Sequence, residues 1–441
     1  MRRRFGRRVS ETNTTSGPAA PRWETHMSEP LARIKNYEDM GLGLFVHWGL
    51  YSQLSCGEWT ELIHERPQEQ YERLMETFTA EDFDAAGLVT AAKEMGAGYI
   101  TLTTKHHEGF FLYDTCGLSD FDAPHSAAGR DLIREFVDAC HEGGIKPFFY
   151  MATYDWHSPL YETDFDAYLE YLRRSVEILC TNYGEVGGFW FDGNWNKKDA
   201  DWKLPELYGT IRRYQPEAII INNTGLKNRG KIIDPEIDVT TYERRISGEV
   251  NHGPADGKYV AGEVSVTTNK HWGCAANDLD YKSPRELIET IANARRAGAN
   301  ALVNIGPTAT GAIAPLQREY LRLIGRWMKM AGPSVHTARP SATLVANGGI
   351  RDFALDDAGV SYLFVHDLAI VGNENVTLGG EGSNLRSFTG AMRPVARISW
   401  LDDGGEVPFM QDCGRGTLTV DANGFTYGSD WVVRIARVEY R

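Results

Sequence analysis

Lys105-His106-His107-Glu108 follows the apolar run Tyr99-Ile100-Thr101-Leu102. A second apolar run, Phe189-Trp190-Phe191, ends in Asp192-Gly193. A third stretch ends in Tyr242-Glu243-Arg244, and Glu263 sits within Gly262-Glu263-Val264-Ser265-Val266. Carboxylates at the edge of a dry core are costly unless something uses them. Asp192 can cap the amides of the next loop or serve as a reactive carboxylate. Glu243 can pair with Arg244 and Arg245 or act as an acid. Glu263, midway along its run, reads as a supporting group. His106 and His107 can be satisfied polar residues at a strand end, metal ligands or readers of hydroxyls. A metal needs several ligands converging, and His47 and Asp192 are the nearest candidates. The first run offers His47-Trp48-Gly49 rather than the HxH of barrel metallohydrolases, so no metal and no cofactor are expected.

Eight apolar runs must position these groups: 41–49, 97–106, 146–154, 187–194, 218–224, 238–243, 259–266 and 301–307. Amphipathic helical patterns separate most of them, as in a parallel sheet covered on both faces. Eight such units predict an irregular (β/α)₈ barrel over residues 31–335. The segments 225–237 and 244–258 are rich in Gly, Asn and charge, so the helices after the fifth and sixth strands are expected to be missing. Thr79 is the expected N-cap of the helical pattern FTAEDFDAAGLVTAAKEMGA (78–97). Beyond residue 335 short strands alternate with Gly, Asp and Asn turns, which predicts an antiparallel β-sandwich over 336–441. Residues 1–30 are basic and polar with no apolar h-region, hence a disordered extension, with Met27 a candidate start.

In a barrel, chemistry belongs at the C-terminal strand ends. In order they carry His47-Trp48, Lys105-His106-His107, Tyr154, Trp190 with Asp192, Asn222-Asn223, Glu243, Glu263 and Asn304, and the first loop adds Glu58-Trp59. There is no Gly-rich phosphate loop and no serine elbow. Indoles stack on the apolar face of a sugar ring, His and Asn bind its hydroxyls, and two carboxylates divide the work on a glycosidic bond.

Net charge is −14, which argues against nucleic acid as a partner. No run of 18 apolar residues exists, so no membrane span is expected. Six cysteines without a CxxC pair read as free thiols, and with no signal peptide they predict a cytoplasmic protein. A homo-oligomer is compatible with this composition.

GLFVHWGLYS (43–52), GEWTE (57–61), YITLTTKHHEGFFLYDT (99–115), GFWFDG (188–193), TNKHWG (268–273) and NALVNIGPTATGAI (300–313) together resemble the α-L-fucosidases of glycoside hydrolase family 29. The resemblance implies retaining exo-hydrolysis of terminal α-L-fucosyl residues from glycans or glycoconjugates. It implies Asp192 as nucleophile and Glu243 as acid/base, with Glu263 as runner-up. His47, Glu58, Trp59, His106, His107, Tyr154 and Trp190 match fucose-contacting positions, and Trp48 and Trp272 join them as aromatic candidates. Thr60 stands where the family often has Tyr, Gly262 where it has Trp, and Asn223-Thr224 where it has Arg, with Arg229 near enough in sequence to substitute. These departures motivate an alternative, a fucose-binding protein with weak or lost turnover.

Overall fold

The computed structural model describes residues 29–254, 257–347, 351–371 and 384–441. The expected N-terminal extension lies almost wholly outside the described residues.

Eight parallel strands close into a barrel: β1 Leu42–Val46, β2 Tyr99–Lys105, β3 Lys146–Ala152, β4 Gly188–Asp192, β5 Ile219–Asn223, β6 Val239–Thr241, β7 Ala261–Thr267 and β8 Ala299–Ile305. They pair in sequence order, and β8 pairs with β1 through Leu42↔Ala301 to Val46↔Ile305. Strand side chains alternate between the two faces, which sorts the apolar residues. Phe45, Tyr150, Trp190, Ile221 and Leu302 form the barrel's inner cluster. Their neighbours Leu44, Met151, Phe191, Ile220 and Val303 pack outward against the helices.

Helices follow β1, β2, β3, β4, β7 and β8. Among the described residues none lies between β5 and β6 or between β6 and β7, as the loop composition predicts. The helix Ala85–Met95 is capped by Asp84, whose carboxylate accepts from Gly87 N, and not by Thr79. Asp is as good a cap as Thr, and here it directly precedes the periodic apolar residues. The helix Pro284–Arg296 starts with a capping box between Ser283 and Glu286. Among the described residues no helix is long and apolar enough to cross a membrane.

The last barrel helix, Pro315–His336, leads into two antiparallel sheets. One has five strands in the order 395–400, 433–440, 360–366, 353–357, 339–340; the other has four, in the order 345–346, 385–389, 417–421, 409–412. Leu363, Val365, Ala436 and Val438 of the larger sheet face Phe388, Leu418 and Val420 of the smaller one in a separate core. The alternate residues Tyr362, Phe364, Val433 and Ile435 join the barrel's core instead. Trp327 on the last barrel helix donates from its indole to Val433 O at 3.0 Å, tying sandwich to barrel.

Candidate active site

A cavity of about 1260 Å³ opens at the C-terminal end of the strands. Phe45, Tyr150 and Trp190 form its floor, and His47, Glu58, Trp59, His106, Asp192, Asn223, Glu243 and Trp272 line its wall.

Asp192 shares the inward face of β4 with Trp190, two residues earlier. Gly193 after it has φ +117°, and a Cβ there would meet Tyr154 N at 2.4 Å, so the turn needs glycine. The carboxylate is held on all sides. Trp195 Nε1 donates to Oδ1 at 2.8 Å and Asn223 Nδ2 at 3.1 Å, while Tyr150 OH donates to Oδ2 at 3.0 Å. His107 Nε2 stands 3.4 Å from Oδ2. Burial pushes the Asp192 carboxyl up, but nearby His107 and the donors Trp195 and Tyr150 outweigh it and hold it below its ordinary range. Asp192 is an anion at neutral pH.

Glu243 follows β6, and its Oε2 accepts from the same Asn223 Nδ2 at 3.1 Å. Burial first, then the charge of Asp192, raise its carboxyl above the ordinary range. One amide group therefore spans two carboxylates whose acidities are driven apart. Each lies 3.1 Å from one nitrogen, so the two bonded oxygens stand no further apart than twice that. That bound on the bonded oxygens admits the ~5–5.5 Å carboxyl separation of retaining glycosidases.

The histidines are fixed in complementary ways. His47 Nδ1 donates to Asn304 Oδ1 at 2.7 Å, and Asn304 Nδ2 donates to Trp272 O at 2.7 Å. Burial lowers His47 to about 3. The ring is therefore neutral, and its Nε2 is an acceptor. His106 stacks on Tyr150 with ring centroids 5.5 Å apart. Its Nδ1 lies 3.4 Å from Glu108 Oε2, and neither of these buried atoms makes a hydrogen bond. Burial raises Glu108 well above its ordinary value and lowers His106 well below its own. With Glu108 protonated, a proton turned toward His106 Nδ1 would place the ring's own proton on Nε2. His47 presents an acceptor and His106 a donor. Glu58 Oε2 accepts from Trp272 N at 3.0 Å and Gly273 N at 2.8 Å, which ties the first loop to the loop after β7.

His106 faces inward because of a register shift between Thr103 and Lys105 on β2. Ile100 and Leu102 point outward, and regular alternation would send residue 106 the same way; the irregularity reverses the parity. Lys105 turns out of the barrel and pairs with buried Asp155 at 2.5 Å.

The model of the family described as Alpha-L-fucosidase matches residues 8–333. This chain belongs to the α-L-fucosidase family, glycoside hydrolase family 29. It is 25% identical to tissue α-L-fucosidase of Rattus norvegicus over 460 residues, covering 95% of this chain and 92% of that one. Among solved structures, α-L-fucosidase isoenzyme 1 from Paenibacillus thiaminolyticus matches at 29% identity and TM-score 0.76, over 93% of this chain and 99% of that one. A family 29 enzyme from Bacteroides thetaiotaomicron, solved as a trapped covalent intermediate, matches in fold at 24% identity and TM-score 0.78, covering 96% and 100%.

Several residues expected from the family pattern stand elsewhere. Trp48 is not on the cavity wall. It follows inward-facing His47, so it points outward, where it stacks on Phe83 at 4.8 Å and donates to Thr308 O at 3.0 Å. Tyr154 does not line the cavity either; its carbonyl accepts from His107 Nδ1 at 2.8 Å and so orients that ring behind Asp192. Glu263 is sealed beneath the floor. Its Oε2 accepts from Tyr37 and Tyr99, and its Oε1 from Trp190 Nε1 at 2.8 Å. A fully buried carboxylate under the indole reaches no leaving group, so the runner-up acid falls away. Arg229 binds the Glu243 carbonyl at 2.6 Å and Leu226 O, not the cavity.

Tyr150, Trp195 and the bridging role of Asn223 are new from the structure. Strand parity marks Tyr150, which shares the inward face of β3 with Phe148. Trp195 lies in a turn, where no periodicity reveals it.

Behind this wall Glu61 is buried with Oε2 unpartnered. Burial, then Asp155 and Glu72, push its carboxyl from 4.5 up to about 7. A carboxyl raised in the fold costs stability once it must ionise. The cost is absent below the unfolded value, grows as pH rises from 4.5, and is full above about 7. Glu61→Gln is therefore expected to stabilise the protein by ~1–2 kcal/mol at pH 8, after discount for solvent screening, and to change little at pH 4. Denaturant melts at the two pH values check this; equal midpoints at pH 8 would contradict it.

Proposed function

We propose that this chain is a retaining exo-α-L-fucosidase in which Asp192 is the nucleophile and Glu243 the acid/base. The observation that carries this reading is the single Asn223 amide spanning both carboxylates. Asp192, kept ionised by the donors Trp195, Tyr150 and Asn223, attacks the anomeric carbon while protonated Glu243 gives its proton to the leaving oxygen. A covalent fucosyl-enzyme forms. Glu243, now a base, takes a proton from water, which attacks the same carbon and releases fucose with its configuration kept. Ionisation of Asp192 at departure restores the unequal pair, so both half-reactions use the same separation of acidities.

The sugar's partners follow from the wall. His47 Nε2 accepts from one hydroxyl, His106 Nε2 donates to another, and Glu58 accepts through its second oxygen. Phe45 and Trp190 close the floor, which suits a terminal residue with an apolar C6 methyl. Trp272, packed against Phe45 and His47, and Trp59, packed against His107, supply aromatic wall for the ring. The free state of all six cysteines supports a reducing, cytoplasmic setting. The substrate is a fucosylated oligosaccharide or glycoconjugate.

The test is a panel of aryl glycosides carrying L-fucose, D-galactose and D-arabinose. Nitrophenol release is expected from the α-L-fucoside far above the others. Binding without release would favour a lectin-like protein on this scaffold.

Glu108 supplies a finer test of the hydroxyl readers. Glu108→Gln keeps an N–H toward His106 Nδ1 and should leave KM for an aryl fucoside within about twofold. Glu108→Ala strands a buried nitrogen, which costs ~1–3 kcal/mol, so KM should rise about tenfold. Equal KM in the two variants would detach Glu108 from the sugar site.

A further inference from the structure

The outer wall of the cavity carries a charge the catalytic chemistry does not use. Lys198 follows β4, and Lys227 and Lys231 lie in the loop after β5. All three are exposed. None makes an ion pair or side-chain hydrogen bond among the described residues. Lysines next to them are engaged: Lys197 with Glu162 at 3.0 Å and Lys203 with Asp166 at 2.5 Å. On the same rim Lys270 is paired with Asp280 at 3.1 Å, and Arg244 lies over the Trp272 ring with its Nε 3.8 Å from Glu243. Asp199 is the rim's carboxylate outside the catalytic group. Asp201 and Asp234 stand beside Lys198 and Lys231 and are oriented by backbone amides, Lys203 N at 3.0 Å and Glu236 N at 2.8 Å, and neither makes an ion pair with these lysines among the described residues.

These lysines lie on the leaving-group side. Arg229 binds both Leu226 O and the Glu243 carbonyl, which couples their loop to the acid/base residue. Gly225 of that loop packs against the Trp195 ring, three residues before Lys198. The fucose itself is neutral and sits deeper, between the floor and Asp192. In a chain of net charge −14, three lysines without an ion pair among the described residues gather at one mouth.

We infer that the leaving-group subsite takes an anionic sugar, one bearing a sulfate ester or a carboxylate, held by Lys198, Lys227 and Lys231. The inference rests on the fucosidase reading and adds the class of aglycone. Reach favours lysine here: flexible ammonium groups can meet a charge whose position varies between glycans, without the planar geometry arginine demands.

The test compares kcat/KM for three fucosyl disaccharides with the same linkage: one to neutral N-acetylglucosamine, one to its 6-sulfate and one to glucuronic acid. At low salt an anionic substrate is expected to exceed the neutral one by about tenfold, as three exposed ion pairs of modest strength allow. The preference should vanish at ~1 M salt, where screening acts over ~3 Å. It should also vanish in the triple variant Lys198→Gln, Lys227→Gln, Lys231→Gln, which keeps side-chain bulk. The sulfate and carboxylate arms show which anion is read. A ratio near one at low salt, or a ratio that survives the triple substitution, overturns the inference. An aryl fucoside distinguishes the two failures: turnover without charge preference sinks this proposal alone, whereas no turnover sinks the fucosidase reading.

Discussion

Asp192→Gly is expected to lower kcat for an aryl α-L-fucoside by about 10⁵-fold while the protein stays folded. Removal of a covalent nucleophile leaves only binding and electrostatic contributions, a loss of this order in other covalent enzymes. The fold should survive because Gly193 already fixes the turn and β4 keeps its ladder to β3 and β5. Two effects oppose each other locally. Trp195, Tyr150 and Asn223 lose an acceptor, but the cavity admits water to replace it. Small anions gain the same space. Azide is expected to restore turnover and yield a β-fucosyl azide, because it attacks from the face Asp192 occupied. Near-normal hydrolysis in this variant would remove Asp192 from the mechanism.

Glu243→Ala should act through the leaving group. Fucosides with poor leaving groups need a proton at departure and should slow by about 10²–10⁴-fold. Dinitrophenyl fucosides need little help, so their first step should be nearly spared and their second step limiting. Azide then accelerates turnover with retention, giving an α-fucosyl azide. The stereochemistry of the azide product therefore separates the two carboxylates. The pH profile gives a second separation. Wild-type kcat/KM should be bell-shaped, with an acid limb below the ordinary carboxylate range from Asp192. Its alkaline limb should lie above that range, because Glu243 must keep its proton. In Glu243→Ala the alkaline limb should disappear. A limb that persists would assign it to another group.

Much of this arrangement was legible in the chain. Most of the barrel strands read as apolar runs because a parallel sheet buried on both faces has little polar side to show, whereas β6 and β7 carry the buried polar residues Thr240, Thr241, Glu263 and Ser265. The missing helices after β5 and β6 read as Gly- and Asn-rich loops. The family motifs placed Asp192 and Glu243, and the cavity brings both to Asn223. Other features needed coordinates for identifiable reasons. Trp48 was misplaced because motif adjacency says nothing of strand parity; His47 faces in, so its neighbour faces out. The same parity argument would have excluded His106, had β2 not shifted register near Thr103. Such an irregularity leaves no clear mark in Thr-Thr-Lys. Glu263 occupies an inward position, but only depth along β7 shows that Trp190 covers it. Trp195 reaches Asp192 from an irregular turn, where spacing carries no direction. The charge of the rim was hidden by the total: a net −14 describes the chain and not its mouth.

The central claim is that Asp192 forms a bond to the anomeric carbon. Incubation with 2-deoxy-2-fluoro-fucosyl fluoride slows both steps and should trap the intermediate, adding one fluorofucosyl mass to the intact protein. Proteolysis and fragmentation are expected to place that mass on Asp192, within the Gly188–Asp192 strand and its turn. A label on Glu243 or Glu263, or steady turnover with β-L-fucose as first product and no label, would contradict the account.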